Sequence, residues 1–339
     1  MFYRLKKIYY EFMRWYMGDW CYFLYDNVKH EKKMMRTHYK DSSKNLFANK
    51  TAIYMANGFC VHAGLSDRFK AMTALYGWSR LMHIDFKIFH IHPFNLSDYI
   101  IPNQYDWSVS SELICYNKKQ VSVNYFMLHP LVQNQINSGE IIDLERKWLS
   151  HRIAISKGTQ MHFYTNMYPQ DDILFGEYFQ ELFKPSPRVE QELQYHKLQI
   201  GGDYISVSFR FMQLLGDFED CGGDTLPISQ QSELIKKSIK VVVQIMKQNP
   251  KIDKMLVTAD SGKFLEAVKS LPFVYIISGK IGHINYTASD EVNMKTFLDF
   301  FMIANAQKVY LAKSGKMYNS DFSRRAAMIY NKKFELVTY

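Results

Sequence analysis

From Thr51 onward the apolar positions of this chain switch repeatedly between two rhythms. Short apolar runs predict strands at "TAIYMA" (51–56), "DFKIFHI" (85–91), "MHFYTN" (161–166), "YISVSFR" (204–210), "KMLVTA" (254–259), "FVYIIS" (273–278), "KVYLA" (308–312) and "KFELVT" (333–338). Between them lie segments of helical period: "GLSDRFKAMTALYGWSRL" (64–81), "DILFGEYFQELF" (172–183), "SQQSELIKKSIKVVVQIMKQ" (229–248), "SGKFLEAVKSL" (261–271), "NMKTFLDFFMIANA" (293–306) and "SDFSRRAAMIYN" (320–331). "KPSPRVEQELQYHKL" (184–198) carries a helix start, with Ser186 as cap, Pro187 in the first turn and Glu190 beside it. Asn249-Pro250 stops the long helix before it. From about Ser97 to Lys157 the pattern is irregular and predicts loops with extra helices.

Strands alternating with helices imply an α/β fold of parallel sheets with right-handed crossovers. Ligands in such sheets bind at the carboxyl ends of the strands. Arg210 follows "YISVSF", Asp260 and Ser261 follow "KMLVTA", and Lys313-Ser314-Gly315 follow "KVYLA", with Ser320 and Ser323 opening the next helix. Arginine, hydroxyls and helix N-termini on one edge suit a phosphate or diphosphate. Each residue also has a plainer reading: Ser261 and Ser320 as caps, Arg210 as an ion pair. Asp67 and Arg68 pose the same choice after the Gly64 turn, either capping a helix or meeting a ligand.

Length adds a second domain. At 339 residues the chain exceeds one ordinary core, and we expect a boundary near 195/196. With 47% hydrophobic and 22% charged residues it is globular in composition. Four scattered cysteines (Cys21, Cys60, Cys115, Cys221) form no metal spacing and read as reduced, cytoplasmic thiols. No signal peptide or bilayer-spanning apolar run is expected. The net charge of +9 gathers early, in "MFYRLKKIYYEFMRWYMGDW" and "KHEKKMMR". Such a basic aromatic helix fits either an anionic membrane surface or a solvated helix face. No nucleic-acid-binding motif accompanies it.

Walker A, Gly-x-Gly-x-x-Gly, Gly-x-Ser-x-Gly and Asp-x-Asp motifs are all absent. The nearest acidic pairs are Asp143-Leu144-Glu145 and Asp217-Phe218-Glu219, and His90-Ile91-His92 has no evident third ligand. We read these histidines as surface or cleft residues rather than a metal site.

Four segments resemble, in order, the fucosyltransferase superfamily that includes the nodulation, α1,2-, α1,6- and protein O-fucosyltransferases. "GLSDRFKAMTALYGWSRL" resembles the family's first glycine turn and helix. "YISVSFRFMQLLGDFED" is similar to its His-x-Arg strand, and "MLVTADSGKF" to its strand-Asp segment. "TFLDFFMIANAQKVYLAKSGKMYNSDFSRRAAMI" resembles its last motif, an acid-bearing helix, a strand and a Ser-x-Phe-Ser helix start. The resemblance implies a GT-B fold of two Rossmann-like domains, residues 1–195 on the acceptor side and 196–339 on the donor side. It implies transfer of fucose from GDP-fucose to a glycan hydroxyl, inverting and without a metal or other cofactor.

In that reading Arg210 holds the β-phosphate, and Asp299 accepts two N–H bonds from guanine. Ser320, Phe322 and Ser323 cradle the diphosphate, Ser208, Asp260 and Ser261 complete the donor site, and Gly64, Asp67 and Arg68 face the sugar. The family's histidine is Ser208 here, and its second arginine is Phe211. Asp217 is the preferred base, with Glu219 and Asp67 the other catalytic carboxylates. The partners expected are a GDP-sugar and a glycan or lipid-linked glycan, at the inner face of a membrane, without nucleic acid. Two alternatives stay open: another GDP-sugar, and a non-catalytic basic protein that binds anionic polymers or membranes.

Overall fold

A computed structural model describes residues 19–41, 43–127, 138–218, 224–285 and 289–339. Two compact units divide them. One holds the described residues as far as Ala63 with Asp67–His92 and Tyr105–Asp171; the other holds Gly64–Ser66, Pro93–Gln104 and Asp172–Tyr339. Of the basic aromatic opening, residues 1–18 lie outside the described residues, and "KHEKKMMR" falls in helix α1 (Asp19–His38).

In the first unit the chain runs from α1 through β1 (Thr51–Ala56), α2 (Leu65–Leu81) and β2 (Asp85–His90). After β3 (Ile100–Pro102), which belongs to the second unit, it returns with β4 (Val121–Phe126), α3 (Ser138–Ile155) and β5 (Gln160–Thr165). The sheet order is β2-β1-β5-β4, parallel throughout. Strands β1 and β5 are buried along their whole length, the polar Gln160 and His162 of β5 included. On β5 itself, His162 bonds the Tyr39 hydroxyl at 2.7 Å and Gln160 at 2.6 Å. Burial holds that imidazole neutral, pushed down to about 3.

The irregular region conceals β4 and α3. Its strand is disguised by Ser122 and Asn124, whose polar groups are satisfied by Ser156 and by the carbonyl of His162. Arg152 of α3 pairs with Glu31 of α1, which also accepts from the amide of Tyr125 at 3.1 Å.

The second unit continues with α4 (Asp172–Leu182), β6 (Phe183–Pro185), α5 (Pro187–Ile200), β7 (Tyr204–Phe209), α6 (Ile228–Lys247), β8 (Lys254–Ala259) and α7 (Gly262–Val268). It ends with β9 (Val274–Tyr275), α8 (Asp290–Asn305), β10 (Lys308–Lys313), α9 (Phe322–Ile329) and β11 (Lys333–Thr338). Ser186 and Ser261 cap as expected, accepting from Val189 and Phe264; Ser289 also caps, accepting from Val292, whereas the N-cap of α9 is Asp321 rather than Ser320. Helix α4 packs closely on α9, where a Cβ at Gly176 would strike the Met328 carbonyl.

The large sheet is parallel, in the order β11-β10-β7-β8-β9. Numbered within the unit from β7, this is 5-4-1-2-3, the doubly wound arrangement whose strand order reverses between β7 and β10. Ile205, Val207 and Phe209 point to one face of β7 and pack with Val241, Val242, Ile245 and Phe264. Ser206 and Ser208 alternate with them and lie on the other face.

Candidate active site

The crevice of a doubly wound sheet opens at the carboxyl ends of the two strands that flank the reversal. Here those ends carry Arg210, after β7, and the segment from Lys313, after β10. The two loops are joined by a hydrogen bond from the Tyr318 amide to the Arg210 carbonyl, 3.0 Å.

Asp260, at the end of β8, organises this edge. One carboxylate oxygen accepts from the Phe211 amide and the other from the Met212 amide, both at 2.8 Å, and Arg210 Nη1 lies 3.2 Å from the latter. Burial pushes the Asp260 carboxyl up, while Arg210 and the two amides oppose that shift. Met212 takes a left-handed conformation (φ 57°) that lets consecutive amides converge on one carboxylate. Asp260 is buried and acts here through Arg210 and the backbone.

Arg210 is partly exposed, and its guanidinium lies over the Phe218 ring, 4.5 Å from the centroid. Ser208 shares a 2.8 Å bond with Thr258 on the neighbouring strand. Phe211, where the resemblance implied a second arginine, is fully buried between Phe209 and Phe264.

Asp217 is bound at the start of α7. Its Oδ2 accepts from Ser261 Oγ and from the Lys263 amide, each at 2.9 Å, and Ser261 Oγ in turn accepts from Phe264. Glu219 lies outside the described residues.

Asp299, on α8, is held by Lys295 one turn earlier. The ammonium lies 2.8 and 3.1 Å from the two carboxylate oxygens. Desolvation raises the Asp299 carboxyl, and Lys295 and His196 counter it. Lys295 also lines a cavity of about 330 Å³ with His196, Gly279, Glu291 and Leu298.

Helix α9 begins at Phe322, whose amide donates to Ser320 Oγ at 3.3 Å. Ser323 is buried, and its hydroxyl has no hydrogen-bond partner among the described residues. An unpaired hydroxyl within the first turn of a helix leaves capacity for an anion there. Arg324 and Arg325 are bonded to Asp172, each at 2.6 Å.

In the first unit, Arg68 is almost fully buried. It donates to the Ala63 and His92 carbonyls and meets His90 Nε2 at 2.9 Å. Asp67 pairs with Lys70 at 2.6 Å and is partly exposed. The turn at Gly64 is therefore tied down by Arg68, with Asp67 in the first turn of α2. Among the described residues no group of three or more His, Cys, Asp or Glu side chains could hold a metal, and no helix is long and apolar enough to cross a membrane.

Arg210 and Asp260 each directly follow a strand, with Ser261 one residue further on. Phe218 and Lys295 were missed as site residues. The i, i+4 spacing of Lys295 and Asp299 was the available signal for the second, whereas nothing local signals the first.

No protein-family model and no curated protein matches the chain. Solved structures do. The NodZ α-1,6-fucosyltransferase soaked with GDP-fucose matches with a TM-score of 0.51 at 12% identity, over 83% of this chain and 92% of that one. The NodZ fucosyltransferase from Bradyrhizobium matches with a TM-score of 0.51 at 13% identity over the same shares. A mutant of Arabidopsis thaliana FUT1 in complex with GDP matches with a TM-score of 0.55 at 12% identity, over 90% of this chain and 73% of that one. The chain has the GT-B fold of these fucosyltransferases.

Proposed function

We propose that this chain transfers fucose from GDP-fucose to a hydroxyl of a glycan acceptor, with inversion and without a metal. The reading assigns the donor to the C-terminal part of the chain and the acceptor to the N-terminal part. The observation that carries it is Arg210, held by Asp260 at the reversal point of a doubly wound sheet. GDP and GDP-fucose in the neighbouring structures support a GDP-sugar as its ligand.

In this reaction the acceptor oxygen bonds to the sugar's anomeric carbon as the bond from that carbon to the β-phosphate oxygen breaks. GDP leaves with the electron pair, and the acceptor proton passes to a carboxylate. Charge grows on the β-phosphate as it departs, and a preorganised guanidinium stabilises that charge more than it stabilises the ground state. Ser320, Phe322 and Ser323 add the N-terminus of α9. Ser208 and Ser261 take part through their neighbours, Thr258 and Asp217. Asp299 reads guanine, together with Lys295. Because Asp217 Oδ2 already accepts two hydrogen bonds, the base is assigned to Asp67 or Glu219. Gly64 and Arg68 shape the turn that carries Asp67.

The acceptor is assigned to surface-polysaccharide synthesis on a lipid-linked precursor at the cytoplasmic face of a membrane. Lys29, Lys32, Lys33 and Arg36, exposed on α1, support contact with anionic headgroups. The same basic helix face favours a second reading, a non-catalytic binder of anionic polymers.

Titration calorimetry separates the two. Micromolar GDP binding with little dependence on salt supports the transferase. Steeply salt-dependent binding to polyanions, with no GDP binding, supports the binder. If GDP binds but GDP-fucose is not turned over while GDP-mannose is, the fold is retained and the sugar reassigned.

A further inference from the structure

Arg210 carries the donor reading, and its guanidinium lies against the ring of a residue eight positions on. A guanidinium offers two kinds of surface. Its planar edge donates hydrogen bonds, and its face stacks on aromatic rings. Asp260 occupies part of the edge through Nη1 at 3.2 Å. Phe218 covers a face at 4.5 Å and takes up no N–H donor. A second carboxylate in that place would compete with a phosphate for donors, whereas a ring does not.

The segment that delivers Phe218 is fastened along its length. Its first two amides, Phe211 and Met212, are on Asp260. Lys263 Nζ donates to the Leu215 carbonyl at 2.7 Å, and the Leu226 amide donates to the Leu214 carbonyl at 3.0 Å. At Gly216 the backbone is left-handed (φ 70°), and a Cβ there would meet Thr225 Cγ2 at 2.9 Å, so the bend needs glycine. Asp217 then anchors the end of the segment on Ser261 and the Lys263 amide, and Phe218 follows, 8% exposed. Asp217 is thus a clasp whose neighbour is the functional side chain.

We propose that Phe218 is a positioning residue for Arg210, fixing the plane of the guanidinium so that its edge is presented to a diphosphate. This rests on the donor reading of Arg210. The face-on ring and the edge-on carboxylate restrain the guanidinium about two different axes, which neither achieves alone. The ring also removes water from one face, strengthening what the edge donates.

The test is a double-mutant cycle. GDP and inorganic pyrophosphate are titrated into wild type, Phe218→Leu, Phe218→Tyr, Arg210→Ala and Phe218→Leu/Arg210→Ala, with thermal midpoints measured alongside. Phe218→Met replaces Phe218→Leu if the latter does not fold. Phe218→Leu should weaken both ligands by about 2–5-fold, the effect of a cation–π contact at a partly exposed site. Phe218→Tyr should bind as wild type does. In the Arg210→Ala background Phe218→Leu should have no further effect, because residues acting through one another are not additive. Additive losses in the cycle, or a Phe218→Leu protein that binds like wild type, would overturn the inference while leaving the donor reading intact. A folded wild type that binds neither ligand would overturn both.

Discussion

Lys295 Nζ bridges the two carboxylate oxygens of Asp299, at 2.8 and 3.1 Å, within a single turn of α8. In the proposed donor site this carboxylate would meet a guanine edge. Guanine presents N1–H and an exocyclic amine to such a carboxylate, with a carbonyl oxygen beside them for the ammonium. Adenine offers an acceptor at N1 and a donor in place of that carbonyl. GDP should therefore outcompete ADP, since leaving buried polar groups unpaired costs about 1–3 kcal/mol, roughly one to two decades of affinity. Asp299→Asn should narrow the gap, because its amide can offer a donor and still accept from Lys295. Competition against a labelled GDP-sugar measures both; equal affinity of wild type for GDP and ADP would leave this ion pair a structural one. Asp299→Leu is the wrong probe, since stranding the Lys295 charge would destabilise the fold by about 3–5 kcal/mol.

Removing Arg210 should abolish most transfer. Arg210→Ala is expected to lower the rate by about 10²–10³, the usual effect of losing one preorganised electrostatic contact. Asp260 keeps its two backbone amides in this variant, so the circular dichroism spectrum should be unchanged. A folded Arg210→Ala enzyme of near-normal turnover would remove Arg210 from the chemistry.

Metal dependence separates two ways of neutralising a diphosphate. Arginine and a helix N-terminus supply positive potential without an ion, so EDTA should leave the initial rate largely unchanged. Loss of activity with EDTA and its recovery with Mn²⁺ would mean that an acidic pair such as Asp217 and Glu219 binds an ion.

Glu145 on α3 gives a pH dependence unrelated to the donor. Burial pushes its carboxyl up from 4.5 to about 7, against the opposing pull of the Tyr168 amide and Lys70. The folded state therefore holds this proton more tightly than the unfolded chain does. Stability from this group is fully present below about pH 4.5 and is lost as pH rises through 7. The loss is at most roughly 3 kcal/mol. Glu145→Gln keeps the acceptor for Tyr168 and stays neutral, so the variant should gain stability relative to wild type between about pH 5 and 8. Denaturant midpoints measured across that range would show it; parallel curves for the two proteins would contradict it.

Much of the second unit was legible in the sequence because its strands alternate with capped helices, and β7, β8 and β10 are short, largely buried segments rich in apolar residues. "FVYIIS" contributes only Val274 and Tyr275 to the sheet, since β9 is an edge strand with a single partner. The pairing of β3 with β6 joins residues some eighty positions apart and places Ile100 opposite Pro185, and no local period encodes such a contact. In the first unit, polar Ser122 and Asn124 concealed β4. At the site, Asp260 was visible as a residue, but its grip on two amides depends on a left-handed Met212. Phe218 was hidden for the same reason: it reaches Arg210 only because the segment between them is folded back by Asp217, Lys263 and Gly216.

The central claim is that Arg210 and its surroundings bind the diphosphate of a GDP-sugar. It is tested most directly by slow hydrolysis of a panel of GDP-, UDP- and CMP-sugars, an assay that needs no acceptor. Wild type should release GDP from GDP-fucose faster than it cleaves any UDP- or CMP-sugar, and Arg210→Ala should lose that release. Hydrolysis of UDP- or CMP-sugars in preference to every GDP-sugar, or release of GDP that persists in Arg210→Ala, would contradict the account.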